Sequence, residues 1–311
     1  MAGPFLRVDS LTRRFGELTA VDGVSFAVAQ GELFGLVGPD GAGKTTTLRM
    51  LAGVLAPTAG DATIGGVSVA RTPERVKPRL AYMSQRFGLY ADLTVEENLH
   101  FYADLYQVPR KERRERLERL YHFSNLGPFQ TRLAGKLSGG MKQKLGLSCA
   151  LIHQPELLLL DEPTFGVDPI SRRDLWLIVH EMVAQGVTAV VSTAYMDEAE
   201  RFDRLAFLHL GRLLAIDSPD ALQGSLAGEI LELRIDRVRE AKEAAARLPQ
   251  VRRAALFGDR LHLTVGSAAA DGPAVADALR RAGFEPQMAR PIVPSLEDVF
   301  MERIAAAEEA A

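Results

Sequence analysis

The sequence predicts an α/β fold built on a buried sheet, followed by a smaller α+β domain, and three observations carry that prediction. Gly38-Pro39-Asp40-Gly41-Ala42-Gly43-Lys44-Thr45-Thr46 has the spacing G-x-x-x-x-G-K-[ST] and lies between an apolar run, Leu33 to Val37, and a helix-compatible run, Thr45 to Leu51. The four leucines Leu157 to Leu160 read as a buried strand that ends in two carboxylates, Asp161 and Glu162. From Glu229 onward a new rhythm of βαββαβ type begins, which suggests a small split sheet of ferredoxin-like type.

The first of these carries chemistry. A strand, a tight Gly-rich turn and a helix start form an anion cradle, because successive backbone N–H groups point inward and the first-turn donors lack helical partners. Lys44 is expected to reach the terminal phosphates of a nucleotide and the Thr45 hydroxyl to hold magnesium. Gly38, Gly41, Gly43, Lys44, Thr45 and Thr46 are therefore candidate nucleotide-binding residues. An ordinary glycine loop is the bland alternative, and the flanking strand and helix argue against it.

Length and composition bound the rest. A chain of 311 residues allows one large core and a smaller domain. The single cysteine, Cys149, excludes a disulfide framework and suggests a reducing compartment. A net charge of -3 supplies no basic field for nucleic acid. No apolar stretch approaches the ~20 residues of a spanning helix, so the chain is expected to be soluble itself, which is compatible with a membrane partner.

Phe5 to Asp9 and Val24 to Val28 read as short strands around a turn-rich segment that contains Arg13, Arg14, Phe15 and Gly16. Phe15 precedes the phosphate loop, where its face can stack on an adenine or, as for most aromatics, join the core. Thr63-Ile64 followed by Gly65-Gly66 is a hairpin signal. The apolar Leu80 to Met83 leads to Gln85 and Arg86-Phe87-Gly88, and Thr94 with Glu97 three residues on marks a helix start. A second helical run, Arg110 to His122, is dense in Arg and Glu and reads as a solvated face with i,i+4 pairs, with a lipid or nucleic-acid patch as the alternative.

Lys136-Leu137-Ser138-Gly139-Gly140 precedes the next helix, which Ser138 can cap while the glycines expose backbone donors. By itself this is better read as a simple turn, and only its position ahead of the Leu157 strand favours a functional role. Acids at the polar end of a buried strand are expected where a metal and a water must be held: Asp161 would support magnesium and Glu162 would polarise the attacking water, with an acidic surface turn as the bland alternative. Further on, a helix is expected over Ser171 to Gln185, a strand over Val187 to Ser192, a helix over Asp197 to Arg204 and a hairpin over Phe207 to Ile216. A domain boundary is expected between Ser218 and Gly228, giving a first domain over 1–220 and a second over 228–305. In the second, helices are read at Val238 to Leu248, Val275 to Ala282 and Ser295 to Ala305. It carries no motif that separates binding, dimerisation and autoregulation. The histidines at 100, 122, 153, 180, 209 and 262 form no ligand pattern.

Taken together, the ordered set Gly38 to Thr45, Gln85, Leu137-Ser138-Gly139-Gly140 and Asp161-Glu162 closely resembles the nucleotide-binding subunits of ATP-binding cassette transporters, over roughly residues 5 to 220. Asp161 to Pro169 and Pro294 to Phe300 look like the subgroup that serves multidrug efflux, whose members carry a small C-terminal domain. The resemblance implies a P-loop NTPase core with a RecA-like subdomain, an antiparallel β subdomain and a helical subdomain at about 88–155. It implies ATP and Mg2+ as cofactors, with Thr45, Gln85 and Asp161 around the metal, Glu162 and Gln85 as catalytic residues and Phe15 on the adenine. It also implies a head-to-tail dimer with a like or unlike second cassette, in which Leu137, Ser138, Gly139, Gly140 and Asp168 lie at the interface and Ser138 to Gly140 meet the partner's nucleotide. A membrane permease would be the other partner, with no direct nucleic-acid contact, at the cytoplasmic face of a bacterial inner membrane.

One position departs from the pattern. Where the family usually carries a histidine that contacts the γ-phosphate, this sequence has Ala194, within Thr193-Ala194-Tyr195-Met196-Asp197-Glu198. A methyl group donates no hydrogen bond, so slow hydrolysis is expected unless a neighbour substitutes. The competing readings are a regulatory cassette with little turnover, favoured by Ala194, and a non-transport cassette acting on ribosomes or nucleic acid, for which basic interaction segments are missing.

Overall fold

A computed structural model describes residues 3–85 and 88–309 and divides the chain into two compact units, 1–216 and 217–311. In chain order the first unit contains β1 (Leu6–Phe15), β2 (Leu18–Val28), β3 (Leu33–Val37), α1 (Lys44–Leu51), β4 (Ala59–Ile64), β5 (Val67–Ser68), α2 (Pro73–Val76) and β6 (Leu80–Met83). It continues with α3 (Val95–Leu105), α4 (Arg110–Ser124), α5 (Gly139–Leu151), β7 (Leu157–Asp161), α6 (Pro169–Ala184), β8 (Thr188–Thr193), α7 (Met196–Ala199), β9 (Arg204–His209) and β10 (Arg212–Asp217).

The central sheet has the order β10-β9-β3-β8-β7-β6, and β3, β6, β7, β8 and β9 pair in parallel. Every residue of β3 and β7 is buried, which is why both read as unbroken apolar runs without alternation. A second sheet, β2-β1-β4-β5, is antiparallel, and its apolar face joins the same core, with Phe26 stacked on Phe34 at 5.1 Å. Between β6 and β7 lie α3, α4 and α5. At the start of α3 the Thr94 hydroxyl accepts from the Glu97 N–H at 3.2 Å, and the Glu97 carboxylate accepts from the Thr94 N–H at 2.8 Å. Those bonds hold the Glu97 carboxyl below its ordinary range.

Two local expectations are corrected in this unit. Arg13, Arg14 and Phe15 lie in strand rather than turn: β1 and β2 form one long hairpin whose register shifts near Val8 and Leu11 break the alternation that marks a strand. The helix expected over Asp197 to Arg204 stops at Ala199, because Arg204 already starts a strand pairing with β3.

The second unit contains α8 (Pro219–Gly224), β11 (Glu229–Ile235), α9 (Val238–Ala245), β12 (Val251–Phe257), β13 (Arg260–Val265), α10 (Ala268–Arg281), β14 (Pro286–Ile292) and α11 (Leu296–Glu309). Its antiparallel sheet has the order β12-β13-β11-β14, and α9 and α10 share an apolar core with one face of it. The division falls after Ile216, ahead of the expected limits, and α8 belongs here: Ser218 caps it and the Arg303 guanidinium donates to Ser225 Oγ at 2.8 Å. Helix α10 starts seven residues before the expected Val275, because Ser267 caps it and Pro273 is tolerated inside it. Among the described residues no helix is long and apolar enough to cross a membrane.

Candidate nucleotide-binding site

Sheet register assembles the site. Val37 at the end of β3 lies opposite Thr193 of β8, and Asp161 at the end of β7 lies opposite Ser192, so the phosphate loop and the two acids leave the two strands that flank β8 at the same end of the sheet. This is where ligands bind in open parallel sheets, outside the carboxyl ends of the strands. The Gly38 N–H donates to Thr193 O at 3.2 Å, fixing the loop's start. Gly43 caps α1 with φ 98° and no side-chain bond, so the first-turn N–H groups of α1 have no side-chain acceptor at the cap. A methyl group on Gly43 would sit 2.6 Å from Ala20 O, in a conformation that already favours glycine.

Lys44 is buried, 4 % exposed, with its Nζ donating to Gly38 O at 2.7 Å and Pro39 O at 3.0 Å and lying 3.1 Å from Glu162 Oε1. The Thr45 hydroxyl donates to Asp161 Oδ1 at 2.9 Å. Two residues that sequence reasoning missed complete this carboxylate's shell: Ser192 Oγ donates to Oδ1 at 2.8 Å and the Tyr82 hydroxyl to Oδ2 at 3.3 Å. Burial and the nearby Asp161 charge push the Tyr82 phenol up to about 12, so it acts as a neutral donor. The signal for both was a polar group interrupting an otherwise apolar strand.

Glu162 sits at φ 48°, in the left-handed region, with its N–H on Ser192 Oγ at 3.0 Å. A non-glycine residue held there turns the carboxylate away from the strand direction and toward the loop. Gln85 Nε2 donates to Glu162 Oε2 at 3.1 Å, which joins both expected catalytic side chains. The residues that follow Gln85, Arg86 and Phe87, lie outside the described residues.

A cavity of about 530 Å³ opens over these groups, walled by Gly41, Gly43, Lys44, Thr45, Thr46, Gln85 and Glu162 with Leu18 to Ala20 opposite. That volume is in the range of small-molecule sites. Phe15 is exposed at the end of the β1–β2 hairpin with the Arg13 guanidinium 4.6 Å from its ring centroid, and it is not among the residues that wall the cavity. The oxygens of Thr45 and Asp161 are hard donors suited to Mg2+, which takes few protein ligands beside phosphate and water. No cluster of three or more His, Cys, Asp or Glu that would suit another metal occurs among the described residues.

Ser138, Gly139 and Gly140 are not part of this cavity. Ser138 caps α5, accepting from the Met141 N–H at 3.3 Å, and Asp168 caps α6, accepting from the Ser171 N–H at 2.9 Å. The bonds from Ser171 hold the Asp168 carboxyl below its usual range. The two helix starts touch: a methyl on Gly140 would overlap the Ser171 side chain. Gly140→Ala is therefore expected to lower stability by about 1–3 kcal/mol through overpacking, and thermal unfolding checks it, an unchanged midpoint contradicting the close approach. Leu137 is buried beneath this segment, whereas Ala194 is exposed at the end of β8. Beside Ala194, Thr193 Oγ1 donates to the buried Glu198 at 2.7 Å, as does Trp176 Nε1 at 3.2 Å, so these two donors are already committed.

Comparison with known proteins places relatives along nearly the whole chain. The family model described as ABC transporter matches residues 21–165. The probable multidrug ABC transporter ATP-binding protein YbhF of Escherichia coli K12 is 42% identical over 307 residues, covering 97% of this chain and 52% of the relative. The chain thus spans about half the length of that relative. The daunorubicin resistance ATP-binding protein DrrA2 of Streptomyces coeruleorubidus is 33% identical, covering 97% of this chain and 95% of the relative. The Nod factor export ATP-binding protein I of Paraburkholderia xenovorans is 38% identical, with 95% of each covered. Among solved structures, an ATP-binding subunit of an ABC transporter superposes with a TM-score of 0.65 at 32% identity, covering 71% of this chain and 92% of that one. A phosphate loop, paired acids and relatives matched along nearly their whole length lead to one conclusion: the chain belongs to the ABC transporter family.

Proposed function

We propose that this chain is the ATP-hydrolysing subunit of an export system, working at the cytoplasmic face of a membrane with a separate permease. The observation that carries the reading is the joining of Lys44, Thr45, Glu162 and Gln85 around one cavity, with the buried Asp161 bonded to the Thr45 hydroxyl behind its wall. Efflux as the process rests on the relatives, which are named for multidrug, daunorubicin resistance and Nod factor export.

In this reading the loop N–H groups and the α1 start bind the phosphates, and Lys44 moves part of its pairing from Glu162 to the terminal phosphate. Glu162 is then free to accept a proton from water as the water oxygen attacks the γ-phosphorus and the bond to the β-phosphate oxygen breaks, with Gln85 holding the carboxylate in place. Bound Mg2+, held by Thr45 and Asp161, would neutralise phosphate charge. Ser138 to Gly140 and Asp168 lie outside the cavity, which supports their use across a head-to-tail interface with a second cassette. There the N–H groups at the start of α5 would face the partner's phosphate. The second unit, with its four-stranded antiparallel sheet of order β12-β13-β11-β14, supports a ferredoxin-like accessory domain.

Ala194 favours a second reading, a cassette of low intrinsic turnover that works beside an unlike partner. Ala194→His is expected to raise Mg2+-dependent turnover about tenfold or more, since one donor to transition-state charge is worth several kcal/mol. A rate equal to that of the parent chain, measured by phosphate release, would contradict the idea that position 194 limits hydrolysis.

A further inference from the structure

We propose that a second cavity, of about 280 Å³ between α4 and the C-terminal ends of α5 and α6, binds an amphiphilic monoanion: an alkyl chain ending in a carboxylate. The cavity shares no residue with the ATP site, and nothing in the proposed function depends on it. It forms because α4 crosses the two helix ends without filling the junction. Its floor is apolar, with Leu120, Leu151 and Met182 buried at 6 %, 5 % and 7 % exposure and Phe123 at the side. Enclosed, wholly apolar cavities of ~150 Å³ already take up small hydrocarbons; here polar side chains, Arg116, Arg119, Gln154 and Gln185, line the cavity beside the apolar ones.

Its mouth is cationic. Arg116 and Arg119 line it and no acid does. Arg116 is fixed, with Nη1 donating to Ile152 O at 2.9 Å and Nη2 to Glu112 at 2.6 Å. Arg119 is held by a neutral group, donating to Gln185 Oε1 at 3.0 Å, and no carboxylate lies within ion-pair distance of it among the described residues. A guanidinium oriented by an amide beside an apolar floor matches one ligand chemistry: a carboxylate on Arg119 with its chain over Met182 and Leu151. Inorganic phosphate would leave the floor uncovered, and an uncharged alcohol would forgo the charge-assisted contact with the exposed Arg119.

Titrating decanoate below its micelle concentration into the full chain tests this by calorimetry, with decan-1-ol as the uncharged control. Saturable 1:1 binding is expected, at least tenfold weaker for decan-1-ol and about tenfold weaker in Arg119→Gln. Met182→Phe, which fills the cavity, should weaken it as well, and Arg119→Gln keeps the test decisive if Met182→Phe fails to fold. Lys44→Ala should bind decanoate normally, which separates this site's failure from that of the nucleotide reading. Absence of saturable heat, equal binding of the alcohol, or an unchanged affinity in Arg119→Gln overturns the proposal.

Discussion

Lys44→Ala is expected to weaken ATP binding by ~100-fold or more, the cost of losing a charge-assisted contact of up to about 3 kcal/mol. The side chain is buried, spans the loop to Gly38 O and Pro39 O, and carries the cation nearest Glu162. Alanine removes the phosphate counter-charge and leaves the Glu162 carboxylate, itself only 12% exposed, beside the incoming phosphate. Two like charges then share one site, so the loss should exceed that of a surface contact. Fluorescent-nucleotide titration at fixed magnesium measures this, and an affinity within threefold of the parent would remove Lys44 from the phosphate site.

Glu162→Gln is expected to cut turnover about 100-fold or more, within the range for a positioned general base, while leaving ATP affinity within a few-fold. Glutamine keeps the shape and the Gln85 contact but accepts no proton from water. It also leaves Lys44 without a paired carboxylate, so the variant should be less stable than the parent without nucleotide. A thermal midpoint without nucleotide equal to that of the parent would contradict the Lys44–Glu162 pairing.

Much of this was legible in the chain. The loop from Gly38 to Thr46 and the run from Leu157 to Glu162 announce themselves because phosphate cradles need glycines at fixed spacing and buried parallel strands need unbroken apolar runs. Caps at Thr94 and Ser138 were equally plain, since a hydroxyl before an uncapped turn has few other uses. What stayed hidden depends on pairing at long range. Ser192 and Tyr82 reach Asp161 only because β8 and β6 flank β7. The β1–β2 hairpin was obscured by its register shifts, and α10 by Pro273, whose cost tertiary packing against β11 and β14 absorbs. The place of Phe15 beside rather than in the cavity wall depends on how that hairpin ends.

Magnesium-dependent ATP turnover of the purified chain, measured beside Glu162→Gln, Ala194→His and the double variant at recorded oligomeric state, tests the account most directly. A slow parent, a faster Ala194→His and an inactive double variant are the predicted results. A rate that survives Glu162→Gln in both backgrounds would contradict the assignment of Glu162 as the group that activates water.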